Sequence, residues 1–124
     1  MTRIIAGEAR GRTIKVPAEG TRPTADRARE GLFSSLNARW GFQGSKVLDL
    51  FAGSGALGLE ALSRGAEEAV LVESNPAAVS IIKHNIGVVK HPGARVEERK
   101  VSTYLASAPR GYFDLVLALS LIHI

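Results

Sequence analysis

The chain has 124 residues, 16 Lys plus Arg against 12 Asp plus Glu, no cysteine and a hydrophobic fraction of 45%. That length accommodates one domain, and that fraction builds a packed core rather than a disordered tail. The lack of cysteine excludes a disulfide scaffold, an iron–sulfur cluster and thiolate zinc. Charge is unevenly placed: residues 1–46 carry nine basic and four acidic side chains, +5, whereas residues 47–124 carry seven and eight, −1. A basic front end on a near-neutral body points to a polyanion-facing extension on a separate binding core. Only Ile4-Ile5-Ala6 lies between Arg3 and Gly7, too little for a signal peptide, and the apolar run from Leu115 to Ile122 is too short to span a bilayer. A soluble cytoplasmic protein is expected.

In chain order, Arg3–Ala6 and Thr13–Val16 read as short extended pieces around Gly7-Glu8-Ala9-Arg10-Gly11, a hairpin signal. After a loop through Pro17 and Pro23, Thr24 is a good N-cap with Asp26 in the first turn. Ala28, Leu32, Phe33 and Leu36 then recur at helical spacing, leaving Arg27, Arg29 and Glu30 largely on the other face. Gly41 and Gly44 close this unit. Lys46–Phe51 is a buried-type strand, followed by a glycine-rich turn and a helix through about Arg64, stopped by Gly65. Ala69–Glu73 is the second strand. Pro76 suits helix position N1 behind Asn75, with Val79, Ile82, Ile86 and Val89 on the apolar face. Arg95–Arg99 is a third strand, Thr103–Ala106 a short helix and Tyr112–Ala118 a fourth strand. Strands separated by helices imply right-handed crossovers and a parallel sheet. The expected fold is an open α/β Rossmann-like sheet with an N-terminal extension over residues 1–45, a binding core over 46–118 and a tail over 119–124.

The chemistry concentrates in Asp49-Leu50-Phe51-Ala52-Gly53-Ser54-Gly55-Ala56-Leu57-Gly58. Glycines 53, 55 and 58 have the G-x-G-x-x-G spacing: a tight turn, close backbone approach to a ligand, and tight helix packing. The spacing alone also fits an ordinary sharp strand-to-helix turn. Glu73 ends the next strand, where a carboxylate can accept hydrogen bonds from both hydroxyls of a ribose. Asp49 sits inside a strand where an unpaired charge is costly. A pyrophosphate would be repelled by that carboxylate, whereas an ammonium or a sulfonium, as in S-adenosylmethionine, would be attracted. A dinucleotide is the weaker competitor.

Asp49–Gly58 with Leu59–Ala66 resembles the first cofactor motif of class I methyltransferases. More narrowly it resembles the 16S rRNA (guanine-N2)-methyltransferase family, RsmD type. Arg3-Ile4-Ile5-Ala6-Gly7, Arg10-Gly11-Arg12 and Thr21-Arg22-Pro23-Thr24 with Asp26-Arg27 and Arg29-Glu30 are similar to that family's opening motifs in order and spacing. The resemblance implies methyl transfer from S-adenosylmethionine to the exocyclic N2 of a guanine in 16S rRNA of the small ribosomal subunit, by a monomer without a metal. It assigns Asp49, Phe51, Gly53, Ser54 and Gly55 to the cofactor turn, Asp49 facing the methionine end, and Glu73 to the ribose. Arg10, Arg12, Arg22 and Arg27 become candidates for RNA phosphate contact or for ordering the loop over the cofactor.

Two stretches depart from the family pattern. Where the family has Asp or Asn facing the adenine amine, the sequence reads Arg99-Lys100-Val101, and Lys100 accepts no hydrogen bond. Where the family carries its catalytic Asp-Pro-Pro-Tyr or Asp-Pro-Pro-Phe, the sequence reads Leu119-Ser120-Leu121-Ile122-His123-Ile124. The resemblance therefore implies a truncated member with no catalytic residue of its own in that place and no methyl transfer by the chain as written. Two rivals remain at this level. A nicotinamide-dependent oxidoreductase would share the glycine spacing, and a non-catalytic RNA-binding protein would use the basic extension alone.

Overall fold

Apolar, Val- and Leu-rich runs at Val47-Leu48 and Ala69-Val70-Leu71-Val72 are flanked by helix-forming segments, which commits the middle of the chain to strands covered on both faces. The computed structural model describes residues 2–16, 30–36 and 41–118. In chain order these are β1 (Thr2–Arg3), β2 (Thr13–Ile14), helical residues 30–36 (α1), β3 (Lys46–Leu50), α2 (Ala56–Ser63), β4 (Glu68–Glu73), α3 (Pro76–Val89), β5 (Ala94–Glu98), α4 (Val101–Ser107) and β6 (Leu115–Leu117). The main sheet has the order β5-β4-β3-β6 and every pairing in it is parallel. The expected α/β sheet is present. Thr24, Asp26 and the proposed tail, residues 119–124, lie outside the described residues.

Alternation along the strands sorts the core into two layers. Val47, Ala69, Leu71 and Leu117 pack with Leu59, Leu62, Ile82, Phe33 and Phe42. Leu48, Leu50, Val70 and Val72 pack instead with Tyr104, and with the partly buried Val101 and Phe113. Asp49 lies two residues from Val47 and so shares its face, toward α2. The fourth core strand is shorter than its apolar run, Leu115–Leu117 rather than Tyr112–Ala118. It pairs with β3 alone among the described strands, and Val116 is 54% exposed. Pro76 is at the start of α3 behind Asn75, whose side chain accepts from the Ala77 N–H at 2.9 Å. That is the capping arrangement expected of an Asn-Pro pair.

The N-terminal hairpin forms with two residues per strand, Arg3 opposite Thr13, and is extended by Ile4 N–H to Arg12 carbonyl at 3.0 Å and Gly11 N–H to Ile4 carbonyl at 2.9 Å. So short a ribbon is not stable by itself. It is held by polar side chains buried in α2. Glu60 is wholly buried and accepts from the Ile5 N–H at 2.8 Å, the Ala6 N–H at 3.1 Å and Arg64 Nε at 2.9 Å. Ser63 Oγ accepts from the Ala9 N–H at 2.9 Å and donates to the Ala6 carbonyl at 2.6 Å. Arg64 in turn lies over the Phe33 ring, 5.2 Å from its centroid, joining α1 to the same contact. Ile4, Ala9 and Ile14 seal the seam, each at most 3% exposed.

Gly7 is where the extension comes closest to α2. Its φ is +87°, and an added Cβ would fall 1.7 Å from the Ser63 carbonyl oxygen. Gly11 has nearly the same φ, +85°, with open space around it. Gly11→Ala is therefore expected to cost about 1–2 kcal/mol, the left-handed backbone penalty alone. Gly7→Ala adds a backbone collision and should cost more than about 3 kcal/mol. Chemical denaturation of both variants checks this; equal, small losses would show that the extension does not dock at Gly7.

Candidate functional site

Parallel sheets place ligands in the crevice beyond the carboxyl ends of their strands. Here that end is built by the turn from Phe51 to Gly55 and by Glu73. The backbone of the turn is strained: Phe51 has φ +56°, Gly53 +62° and Gly55 +82°. Phe51 is the only one of the three with a side chain, and it remains 38% exposed at the strand end. A left-handed non-glycine residue costs of order 1–3 kcal/mol and persists where surrounding contacts determine it. Those contacts are in place. Ala52 N–H reaches the Val72 carbonyl at 2.9 Å, and Gly55 N–H closes on the Ala52 carbonyl at 2.8 Å.

Two carboxylates pin the turn from either side. Glu73 Oε1 accepts from the Gly53 N–H at 2.9 Å, and its Oε2 from the Asn75 N–H at 3.0 Å. Asp49 Oδ2 accepts from the Gly58 N–H at 3.0 Å, in the first turn of α2. Helix α2 has Gly55 at its N-cap and no side-chain cap of its own. The strand carboxylate therefore satisfies an amide that the helix start leaves free. Gly58 lies close to both neighbours: a Cβ there would fall 2.2 Å from Leu71 Cδ2, which would have to shift, and 3.3 Å from Asp49 Oδ2.

Asp49 is 0% exposed, and its Oδ1 is buried without a hydrogen-bond partner among the described residues. Burial pushes its pKa up to about 8; the Gly58 N–H opposes that shift, and the charge of Glu73 adds to it. A buried carboxyl with one oxygen unsatisfied is costly to keep, and such groups concentrate at functional sites. Ser54 completes the turn: its carbonyl accepts from Asn85 Nδ2 at 2.9 Å.

The remaining sequence candidates are dispersed. Lys100 is the exposed N-cap of α4, two residues after the end of β5, and makes no side-chain cap bond. Arg10 is exposed on the turn between β1 and β2. Arg12 is exposed but engaged, donating from one guanidinium nitrogen to the Val88 and Val89 carbonyls at 3.3 and 2.7 Å. A cation at these last carbonyls of α3 matches the helix dipole. Arg22 and Arg27 lie outside the described residues, as does everything after Ala118. Sequence reasoning missed Glu60, Ser63 and Asn85, three buried polar residues on helix faces that otherwise read as apolar. A polar residue in an apolar stripe is the available signal, but its partners in the N-terminal hairpin lie 54 to 70 residues away. A cavity of about 490 Å³ lies at the opposite end of the sheet, lined by Phe42, Ser45, Asp114 and Leu115, away from the carboxylates. Among the described residues no helix is long and apolar enough to cross a membrane, and no acidic, His or Cys group is set to hold a metal ion.

The chain is similar to known proteins over most of its length. The chain is 46% identical over 105 residues to ribosomal RNA small subunit methyltransferase D of Escherichia coli K12, a match covering 84% of this chain and 52% of that protein. A hypothetical protein of Thermus thermophilus superposes with a TM-score of 0.78 at 46% identity, over 87% of this chain and 61% of the other. A putative methyltransferase of Escherichia coli does so with a TM-score of 0.74 at 43% identity, over 85% and 56%. The chain thus spans about half the length of the curated relatives it matches. The family described as conserved hypothetical protein 95 matches residues 2–118. By that match the chain belongs to the conserved hypothetical protein 95 family, and the resemblance to RsmD-type methyltransferases carried by its motifs is borne out.

Proposed function

We propose that this chain forms the cofactor-binding part of a methyltransferase that moves a methyl group from S-adenosylmethionine to the exocyclic N2 of a guanine in 16S rRNA. The observation that carries the reading is Asp49: a fully buried carboxyl, one oxygen engaged by the Gly58 amide and the other unpartnered, at the end of the strand leading into a glycine turn. A carboxyl held in that place, ionised as the ligand binds, suits a cationic ligand reached directly or through one bound water. The donor sets fit S-adenosylmethionine: Asp49 for its cationic methionine end, the Phe51–Gly55 backbone for close approach, and Glu73 for the ribose hydroxyls, each oxygen keeping a further lone pair. When bound, the cofactor supplies a methyl group on a positively charged sulfur. The chain's own residues bind it and orient it.

The dinucleotide reading is the weaker one on the same observations. A pyrophosphate needs free turn amides. Here the Gly53 amide is taken by Glu73, the Gly55 amide by the Ala52 carbonyl and the Gly58 amide by Asp49. Two carboxylates flank the turn where two phosphates would sit. The RNA substrate rests on the likeness to the small-subunit rRNA methyltransferase and on the +5 charge of residues 1–46.

Asp49→Asn and Glu73→Gln should each weaken S-adenosylmethionine binding by about 1–3 kcal/mol, the loss of a charged hydrogen-bond partner. Titration calorimetry reads this, and unchanged affinity in both variants would remove the assignment. RNA binding should fall steeply with salt, and Arg10→Glu should lower the slope of log K against log salt by about one unit or more. Arg12 is a poorer probe, because its side chain also holds α3. Filter binding with small-subunit RNA across a salt series checks it; a salt-independent interaction would make the charge asymmetry incidental.

A further inference from the structure

Asn85 sits in the middle of α3, wholly buried, with every polar hydrogen engaged. Its Oδ1 accepts from the Lys15 N–H at 2.7 Å, and its Nδ2 donates to the Lys15 carbonyl at 2.8 Å and to the Ser54 carbonyl at 2.9 Å. The orientation of the amide is fixed by these partners, since one side meets an N–H and the other meets two carbonyls. Toward Lys15 the side chain pairs with the backbone as a neighbouring strand would. Toward Ser54 it grips the glycine turn. One side chain thus joins the N-terminal extension to the turn, across 31 residues on one side and 70 on the other. The surroundings are packed on both sides. Gly55 lies against Ile82, one turn earlier in α3, an ideal Cβ there falling in ordinary contact at 3.5 Å from its side chain. Ile14, next to Lys15, is 0% exposed. One helical turn beyond Asn85, Arg12 fastens the same extension to the Val88 and Val89 carbonyls.

From this junction we propose that Asn85 is a positioning residue that makes ligand occupancy of the glycine turn and docking of the basic extension interdependent. Either event should favour the other. The inference rests on the cofactor reading above for the identity of the ligand. Its physical basis is that the two segments share a partner with no spare donor, so a turn fixed by ligand holds Asn85 in the orientation that pairs with Lys15. By linkage the effect is the same in both directions. For an RNA-modifying protein the consequence is ordered assembly: the phosphate-facing arm is most firmly seated when the cofactor site is filled.

Hydrogen exchange on the 124-residue chain, with and without saturating S-adenosylmethionine, tests both directions. Lys15→Pro deletes the N–H that Asn85 Oδ1 accepts and touches no atom of the turn; Ile14 before it is already extended, as a following proline requires. Without ligand, this variant should speed exchange at the Gly55 amide about fivefold or more while leaving the Leu71 amide in β4 unchanged. With ligand, the wild-type Lys15, Ile5 and Ala6 amides should slow by a comparable factor, and in Asn85→Ala only the turn amides should respond. An unchanged Gly55 amide in Lys15→Pro overturns the coupling. So does a uniform quickening that includes Leu71, which marks lost global stability. Slowing confined to Gly53 and Gly55 in the wild type overturns it as well. If ligand slows no amide at all while Lys15→Pro quickens Gly55, the cofactor reading and the linkage to ligand fail, and the contact between extension and turn stands alone.

Discussion

A carboxyl group buried at the end of β3 constrains much of this fold. Asp49 takes its donor from an amide of the first turn of α2, where an added Cβ at position 58 would fall 2.2 Å from a Leu71 methyl and 3.3 Å from Asp49 Oδ2. To start a helix there the chain must reverse within five residues, which is why three left-handed residues follow in quick succession. The strain in this turn is held by Glu73, the Val72 carbonyl and Asn85, all from later segments of the chain. Even so, one oxygen of Asp49 is left unpaired among the described residues, and burial keeps the group largely protonated near neutral pH. The fold thus maintains a buried carboxyl group whose full complement of partners the described residues do not themselves provide.

The extension obeys a second constraint of the same kind. A ribbon of two residues per strand has almost no stability of its own, so its backbone amides must be satisfied from outside. Glu60 and Ser63 do this from α2 and Asn85 from α3, while Arg12 reaches back to the end of α3. These are hydrogen bonds to buried groups, and losing one partner leaves the other unsatisfied. The basic arm is consequently part of the folded unit at its base, and its register on the two helices is set by single side chains. This seating is what allows a change at the glycine turn to be felt in the arm.

How much of this was legible beforehand follows from the range of the interactions. The strands at Lys46–Leu50 and Glu68–Glu73, the Asn75-Pro76 start of α3 and the glycine spacing are local patterns, and each lies within a residue of its expected place. Asp49 and Glu73 were legible because a carboxylate in or at the end of an apolar strand is anomalous in itself. The shortening of β6 was less so, because Tyr112–Ala118 is strand-like apart from Asp114 and Ala118, while pairing is limited to the three residues opposite Val47, Leu48 and Asp49. Glu60, Ser63 and Asn85 were invisible for another reason: a Glu or Ser on a helix reads as a solvated position until the segment that covers it is known. Arg12 illustrates the converse, a basic residue whose charge suggested a phosphate and whose guanidinium is directed to helix carbonyls.

If the site takes a cationic ligand as proposed, Asp49 is the largely protonated acid that this ligand ionises. With its pKa pushed up to about 8, the group holds its proton at pH 7, and a ligand that favours the carboxylate must expel that proton on binding. Affinity for S-adenosylmethionine should then rise with pH between about 6 and 8, by at most about tenfold per unit, and level off above. Titration calorimetry at pH 7 in two buffers of different ionisation enthalpy measures the protons released directly. Release should approach one proton per ligand in the wild type and vanish in Asp49→Asn. Binding with no proton release in the wild type, or equal release in Asp49→Asn, would contradict it.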